Sequence, residues 1–384
     1  MPSNDSLSFP RPLKIGFTYD CRSEWMLLGF SMDQCAEFES EETIERIASS
    51  LRNLGTVDMI GGLKALTKRL ATSDADWDVV FNICEGYGTL GREAQVPALL
   101  EAWGIPFTFS DSATLALCLD KAKTKMVLEH YGIATAPFAC IPPRNSWIGL
   151  DFNPLSVMEN AAHRDSLSSF PLFVKPASVS TGIGISQANK VVDVQQLAEV
   201  VEDISNRYPT QTILIERFLA GREFTVGIIG TGADAYVVGV RELVFLKDNP
   251  NFPIDPSIPY NTRDPALYQL DVYGHDLKRK WSPNPQYVDL TLSDAVARAA
   301  AETALKAWRL LGCRDGGRVD LRHNTKETDA VLNFIEVNPI AGLAPDWSDL
   351  PRLAKANGID YDQLLALVIN SALKRRAYTS SRVV

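Results

Sequence analysis

The chain is predicted to fold in two or three parts, an N-terminal α/β domain with a parallel sheet followed by α+β regions, and three observations predict it. At 384 residues it is longer than one hydrophobic core usually serves. Through the first third, apolar segments of strand length alternate with segments of helical period, as in a parallel sheet flanked by helices. Beyond Lys125 this alternation gives way to grouped strands with single helices between them, an α+β pattern. The boundaries are placed at 1–118, 119–215 and 216–384.

In the first part, strands are expected at 13–19, 57–60, 77–83 and 106–109, and helices at 41–54, 63–71 and 93–103. In the second, strands are expected at 137–141, 170–176, 184–188 and 212–218, with a helix over 194–207. The third opens with strands at 223–229 and 236–246. A proline- and aromatic-rich stretch over 249–286 follows, and its length marks it as a functional loop or lid. Alanines and leucines at helical spacing predict a helix over 293–311, leading into strands at 316–323 and 331–338. A closing helix is expected over 361–376, with a frayed tail over 377–384.

Composition narrows the function. With 46% hydrophobic and 22% charged residues, the chain falls in the ordinary globular class. A net charge of -9 offers no basic stripe for a phosphate backbone, so a small-molecule ligand fits better than a nucleic acid. The 6 cysteines are scattered without a C-x-x-C pair, which indicates neither zinc site nor disulfide scaffold and suits a reducing cytoplasm. His130, His163, His275 and His323 show no ligand spacing. The N-terminus is polar and no run of about 18 apolar residues occurs, so neither membrane nor export is expected.

The most informative stretch is Arg318-Val319-Asp320 with Glu336-Val337-Asn338. Side chains two apart on a strand share a face. Neighbouring strands would therefore gather an arginine, two carboxylates and an amide oxygen, an all-oxygen site for a hard cation beside a fixed positive charge. Magnesium completes such a shell with phosphate oxygens and water, which points to a nucleotide. Lys175 ends an apolar strand, a costly position unless its ammonium meets an anion. The following loop can cradle a phosphate, because Gly182 and Gly184 permit the required dihedrals. Glu216 and Phe218 share a strand face that offers an acceptor and an aromatic wall to an adenine, and Glu223 can accept from ribose hydroxyls. Gly86-Tyr87-Gly88-Thr89-Leu90-Gly91 matches a dinucleotide fingerprint, but it follows the third predicted strand instead of opening the first unit, and Glu85 would repel a pyrophosphate.

In this order and spacing, Lys121, Lys175, the loop to Gly184, Glu216 and Glu223 in E-R-F-L-A-G-R-E, Arg318-x-Asp320 and Glu336-Val337-Asn338 resemble the ATP-grasp superfamily, and within it the D-alanine-D-alanine ligases. The resemblance runs from Trp77 onward, and 86–95 is similar to the family's G-x-x-G-E-x-x-x-Q loop. It implies the ATP-grasp fold, with a Rossmann-like N-terminal domain and two lobes clasping ATP. By position it implies that Lys121 and Lys175 hold phosphates, Glu216 and Leu219 the adenine, and Glu223 the ribose. Asp320, Glu336 and Asn338 would hold two magnesium ions, with manganese as the alternative, and Arg318 would face the reacting carboxylate. The implied chemistry activates a carboxylate as an acyl phosphate, which an amine then opens.

Departures bear on the substrate. The family's glycine-serine-serine loop is here Ser180-Thr181-Gly182, which retains hydroxyls at Ser180 and Thr181. E-V-N-T-x-P-G becomes a segment ending at Gly342, and the serine for the second substrate's carboxylate matches Ser348 with one residue inserted. The lid lysine matches Lys278, with Arg279 in the tyrosine place and Lys280 as an alternative. The N-terminal G-G-x-S-x-E segment is absent, leaving Glu37, Glu39, Glu41 or Glu42 for the first substrate's amino group. The leading expectation is an ATP-dependent carboxylate-amine ligase acting on amino acids in specialised metabolism. The alternatives are a D-alanine-D-alanine ligase of cell-wall synthesis and a catalytically silent ATP-binding regulator. Pairing into a homodimer, common in the family, is neither supported nor excluded by the sequence.

Overall fold

The structure, a computed structural model, describes residues 9–72, 75–180, 182, 184–248, 270–272, 274 and 286–380. The N-terminal sheet is parallel, with strand β1 (Leu13–Tyr19) central between β2 (Gly55–Met59) and β3 (Val79–Ile83). Helices α1 (Arg22–Leu27), α2 (Glu41–Arg52) and α3 (Leu63–Ala71) connect these strands, and α4 (Gln95–Ala102) and α5 (Ser112–Leu119) follow. Ser40 caps α2 by accepting from the Thr43 N–H, and Asp111 caps α5 by accepting from that of Thr114. The segment over 106–109, predicted as a strand, joins the sheet only through a single bridge between Val80 and Phe107. The chain turns away at Phe109, whose φ is 70°.

The central lobe opens with α6 (Lys121–His130), whose cap Asp120 accepts from the Lys123 N–H. Its sheet is antiparallel, in the order β4 (Phe138–Ile141), β7 (Ile213–Arg217), β5 (Leu172–Pro176), β6 (Lys190–Val191), with α7 (Arg164–Leu167) and α8 (Val194–Arg207) attached. The strand predicted over 184–188 is not one. Gly184 has a φ of 72°, and the Asn189 side chain accepts from the Ser186 N–H, closing a tight turn that ends in a short 3-10 helix over Gln187–Asn189.

The C-terminal lobe is a five-stranded antiparallel sheet. Its order is β10 (Gln286–Leu290), β9 (Tyr236–Val244), β8 (Glu223–Ile229), β11 (Gly316–His323), β12 (Leu332–Asn338). Helix α9 (Ala295–Leu310) lays Ala297, Ala300, Ala304, Ala307 and Trp308 on this sheet, an apolar stripe at helical spacing. Helix α10 (Asp349–Ala356) and helix α11 (Tyr361–Ser380) close the chain, the latter continuing past its predicted end at 376. Leu364, Leu365, Val368 and Ile369 of α11 share one core with Ile15, Phe17 and Phe81 of the parallel sheet. Asp362 accepts from Ser50 and from Asn53, so the last helix locks onto the first domain. Among the described residues no helix is long and apolar enough to cross a membrane.

Candidate active site

The two antiparallel sheets face each other across an open cleft. Strand alternation decides what it contains. On β5, Leu172 and Val174 point into the central core, so Phe173 and Lys175 face the cleft. On β11, Val319 and Leu321 are buried against α9, so Arg318, Asp320 and Arg322 face it. Register places Asp320 opposite Glu336 and Arg318 opposite Asn338. Lys121, Gly182, Glu216, Phe218, Leu219, Glu223 and Asp349 complete the lining used below.

Lys121 bridges the lobes. Its backbone N–H donates to the Ala177 carbonyl at 3.0 Å and its ammonium to that of Val179 at 2.5 Å. The same ammonium lies 3.3 Å from Glu336 Oε2, so the helix start, the small-residue loop and β12 meet at one cation. Gly182, with a φ of 75°, lets this loop bend over the cleft.

Glu216 is held by two lysines, Lys175 at 2.6 Å and Lys125 at 2.7 Å. Burial alone would raise its pKa, but the charges of Lys125 and Lys175 outweigh it and bring the carboxylate down to about 2. The adenine acceptor expected from the sequence is therefore already engaged, and its carboxylate serves first to fix the two ammoniums. Glu223 is likewise paired with Arg322, at 2.9 Å. Phe218 does form a wall, with Lys190 over its ring at 4.2 Å and Arg322 at 5.1 Å.

Arg318 donates to both Asp320 oxygens, at 2.8 and 2.6 Å, with Asp349 at 3.9 Å and Glu336 at 4.0 Å. Burial opposes charge on Arg318, but Asp320, Asp349 and Glu336 outweigh it and raise its pKa. Asp320 is pushed up to about 6 by burial, with Glu336 adding and Arg318 opposing. The Asn338 amide donates to Glu336 Oε1 at 3.4 Å. Among the described residues no group of three or more His, Cys, Asp or Glu forms a closed metal cage. Two carboxylates and an amide oxygen are nonetheless the partial oxygen set that magnesium takes when phosphates supply the rest.

Of the four N-terminal glutamates, Glu37 reaches the loop. It accepts from the Ser180 N–H at 2.9 Å and hydroxyl at 2.7 Å, and Arg92 grips both its oxygens at 2.8 and 3.2 Å. Glu39 faces Arg22 and the Leu343 backbone, Glu41 accepts from Ser23, and Glu42 is exposed. In place of the missing family segment, Trp25 and Phe30 after β1 pack on Tyr87, with Phe38 against Trp25. Gly342 and Ser348 sit together, since a Cβ on Gly342 would meet Ser348 Oγ at 2.7 Å. Thr181 and Lys278, like Arg279 and Lys280, lie outside the described residues.

Lys125, Arg322, Asp349 and Arg92 were not singled out from the sequence. Arg322 was within reach, because the two-residue period joining Arg318 to Asp320 continues to it. Lys125 lies one helical turn after Lys121.

The family described as "D-ala D-ala ligase C-terminus" matches residues 127–370. The chain belongs to that family. Among curated relatives, a D-alanine-D-alanine ligase from Xanthomonas axonopodis pv. citri is 29% identical over 314 residues, covering 82% of this chain and 83% of the relative. One from Chlorobium limicola is 26% identical over 352 residues, covering 88% and 85%. D-alanine-D-alanine ligase A of Escherichia coli K12 is 28% identical over 309 residues, covering 78% and 70%. Among solved structures, the ATP complex of the Bacillus anthracis D-alanine-D-alanine ligase aligns with a TM-score of 0.66 at 21% identity, covering 96% of this chain and 99% of that one. The D-alanine-D-alanine ligase-like chain thus has the ATP-grasp fold, and it is an ATP-dependent carboxylate-amine ligase that forms a C–N bond.

Proposed function

We propose that this ligase joins two D-alanines, with release of ADP and phosphate. The observation that carries this reading is the name shared by the relatives above, which span 78–88% of the chain. They favour this alternative over the specialised-metabolism ligase that the altered N-terminus suggested. The arginine aimed at the reaction centre argues against a silent nucleotide sensor.

In this reading the first D-alanine enters beside Glu37, whose carboxylate takes the substrate ammonium as a charge-assisted partner. Its carboxylate oxygen attacks the γ-phosphorus of ATP, the bond to the β-phosphate oxygen breaks, and ADP leaves with the electron pair. Lys121 and Lys175 hold the phosphates in line and offset their charge. The second D-alanine, with its carboxylate toward Gly342 and Ser348, attacks the acyl carbon through its amine. Arg318 stabilises the tetrahedral oxyanion, phosphate departs, and the amine gives up a proton. Asp320, Glu336 and Asn338 are the residues that would hold magnesium, or manganese, and bound metal would supply charge neutralisation to the phosphates. Thr181 and Lys278 are the residues that the family resemblance assigns to the loop and the lid. The division at 118 and 215, a cytoplasmic location and homodimer pairing belong to the same reading.

D-Alanine labelled with heavy oxygen in its carboxylate tests it. One labelled oxygen per turnover should appear in the released phosphate, with the dipeptide formed alongside. Unlabelled phosphate would contradict the acyl-phosphate route.

A further inference from the structure

Lys125 is among the most completely buried side chains described, 1% exposed, yet it carries an ammonium. Buried charges are normally matched one to one, since an unmatched ion forfeits its hydration without return. Here the match is two to one. Lys175 alone would neutralise Glu216, and Lys125 adds a second cation to the same carboxylate from behind. Its remaining surroundings are weaker compensation: the Phe138 ring face at 5.7 Å, an apolar patch of Ala122, Ala177 and Leu214, and the charge of Glu129, which is itself engaged by Thr135 and His163. The cleft lining includes Lys175 and Glu216, while Lys125 lies beneath them. Lys121 and Lys125 share one face of α6, so one helix supplies both a cation in the cleft and a cation under its floor.

We propose that Lys125 is a positioning residue whose charge leaves the Lys125–Glu216–Lys175 triad with one excess positive charge, directed through Lys175 at an anion in the cleft. The triad is complete only when phosphate oxygens arrive. Lys125 touches no substrate; it occupies Glu216 and so frees the Lys175 ammonium to turn toward the nucleotide. This inference rests on the reading of Lys175 as a phosphate ligand, and it extends that reading to a residue outside the cleft.

Calorimetric titration of the full chain with magnesium and ATP, and separately with adenosine, tests it in wild type, Lys125→Gln, Lys125→Met, Lys125→Arg and Lys175→Met. The glutamine keeps a donor toward Glu216 without the charge, and the methionine keeps the volume. Both should weaken ATP binding about tenfold, the order expected for one charge acting through an effective dielectric of ~20. Adenosine binding should change less than about twofold, because adenosine carries no phosphate, and Lys125→Arg should recover most of the ATP affinity. Unchanged ATP binding in the glutamine and methionine variants, with Lys175→Met still weakened, would overturn this inference alone. An equal loss for ATP and adenosine would also overturn it, since a purely structural lysine would produce that. If Lys175→Met too bound ATP like wild type, the phosphate reading of Lys175 would fall with it.

Discussion

Glu37 and Ser180, 143 residues apart in the chain, meet twice: the carboxylate accepts from the serine N–H at 2.9 Å and from its hydroxyl at 2.7 Å. The contact ties the N-terminal domain to the loop that follows Lys175, and Arg92 holds the same carboxylate from the other side. Of the four candidate glutamates, Glu37 is the one that contacts the loop among the described residues, and the proposed reading gives it the substrate ammonium. Glu37→Gln should raise the KM for the amino-acid substrate by about ten- to a hundredfold, the value of a hydrogen bond to a charged group, while the KM for ATP stays within about twofold. Steady-state kinetics with each substrate varied will decide; an unchanged amino-acid KM would return the assignment to Glu39, Glu41 or Glu42.

Asp320 and Glu336 face each other across β11 and β12, beside Arg318. Asp320→Asn or Glu336→Gln should reduce turnover by at least about a hundredfold, because charge stabilisation at the transferred phosphoryl group is lost. Circular dichroism should show the fold retained. Activity close to wild type in either variant would remove the metal assignment.

Gly317 sits where β11 passes β12 and α9 together. A Cβ there would lie 2.5 Å from the Asn338 carbonyl and 2.6 Å from the Trp308 ring, which is fully buried. Neither backbone nor a packed indole yields easily, so Gly317→Ala should cost on the order of 1–3 kcal/mol and shift the neighbouring Arg318. Urea unfolding should show the lower midpoint, and kcat should fall with it. A variant with wild-type stability would mean that the strand has room to move.

Glu216 sets an acid limit. Its pKa falls from 4.5 to about 2 in the fold, because the two lysine charges outweigh the effect of burial. As pH drops, the unfolded chain takes up this proton first. The stabilisation from this group is thus complete above about pH 5 and disappears as pH falls toward about 2, a loss on the order of 3 kcal/mol. Denaturant unfolding at a series of pH values should show this decline in wild type. Glu216→Gln should start lower, with two buried ammoniums left unmatched, and should show a shallower slope in the same window. Equal slopes would contradict the assignment.

The helices at 63–71 and 194–207 were legible to the residue because each buries a regular stripe, and the strands at 13–19, 223–229 and 316–323 because each is a short run of strand length, mostly buried. Helices α5 and α6 were not, since they follow each other with only Asp120 between them, which closes one helix and caps the next. The 184–188 segment, expected as a strand, is instead a turn that the Asn189 side chain dictates, a contact the local pattern Gly-Ile-Ser-Gln-Ala does not display. In the site, Lys175, Arg318, Asp320 and Glu336 followed from strand period and charge. The choice of Glu37 did not, because it depends on where Arg92 and Ser180 lie in space. Lys125 was not legible either, because α6 was not expected, and the reason the lysine is buried appears only with Glu216 beside it.

The central claim is most directly tested by incubating the chain with ATP, magnesium and D-alanine, counting released phosphate and weighing the product by mass spectrometry, with L-alanine as the paired control. Equal amounts of phosphate and D-alanyl-D-alanine, with neither formed from L-alanine, is the result predicted. Phosphate release that ignores D-alanine and requires a different acid and amine would contradict it.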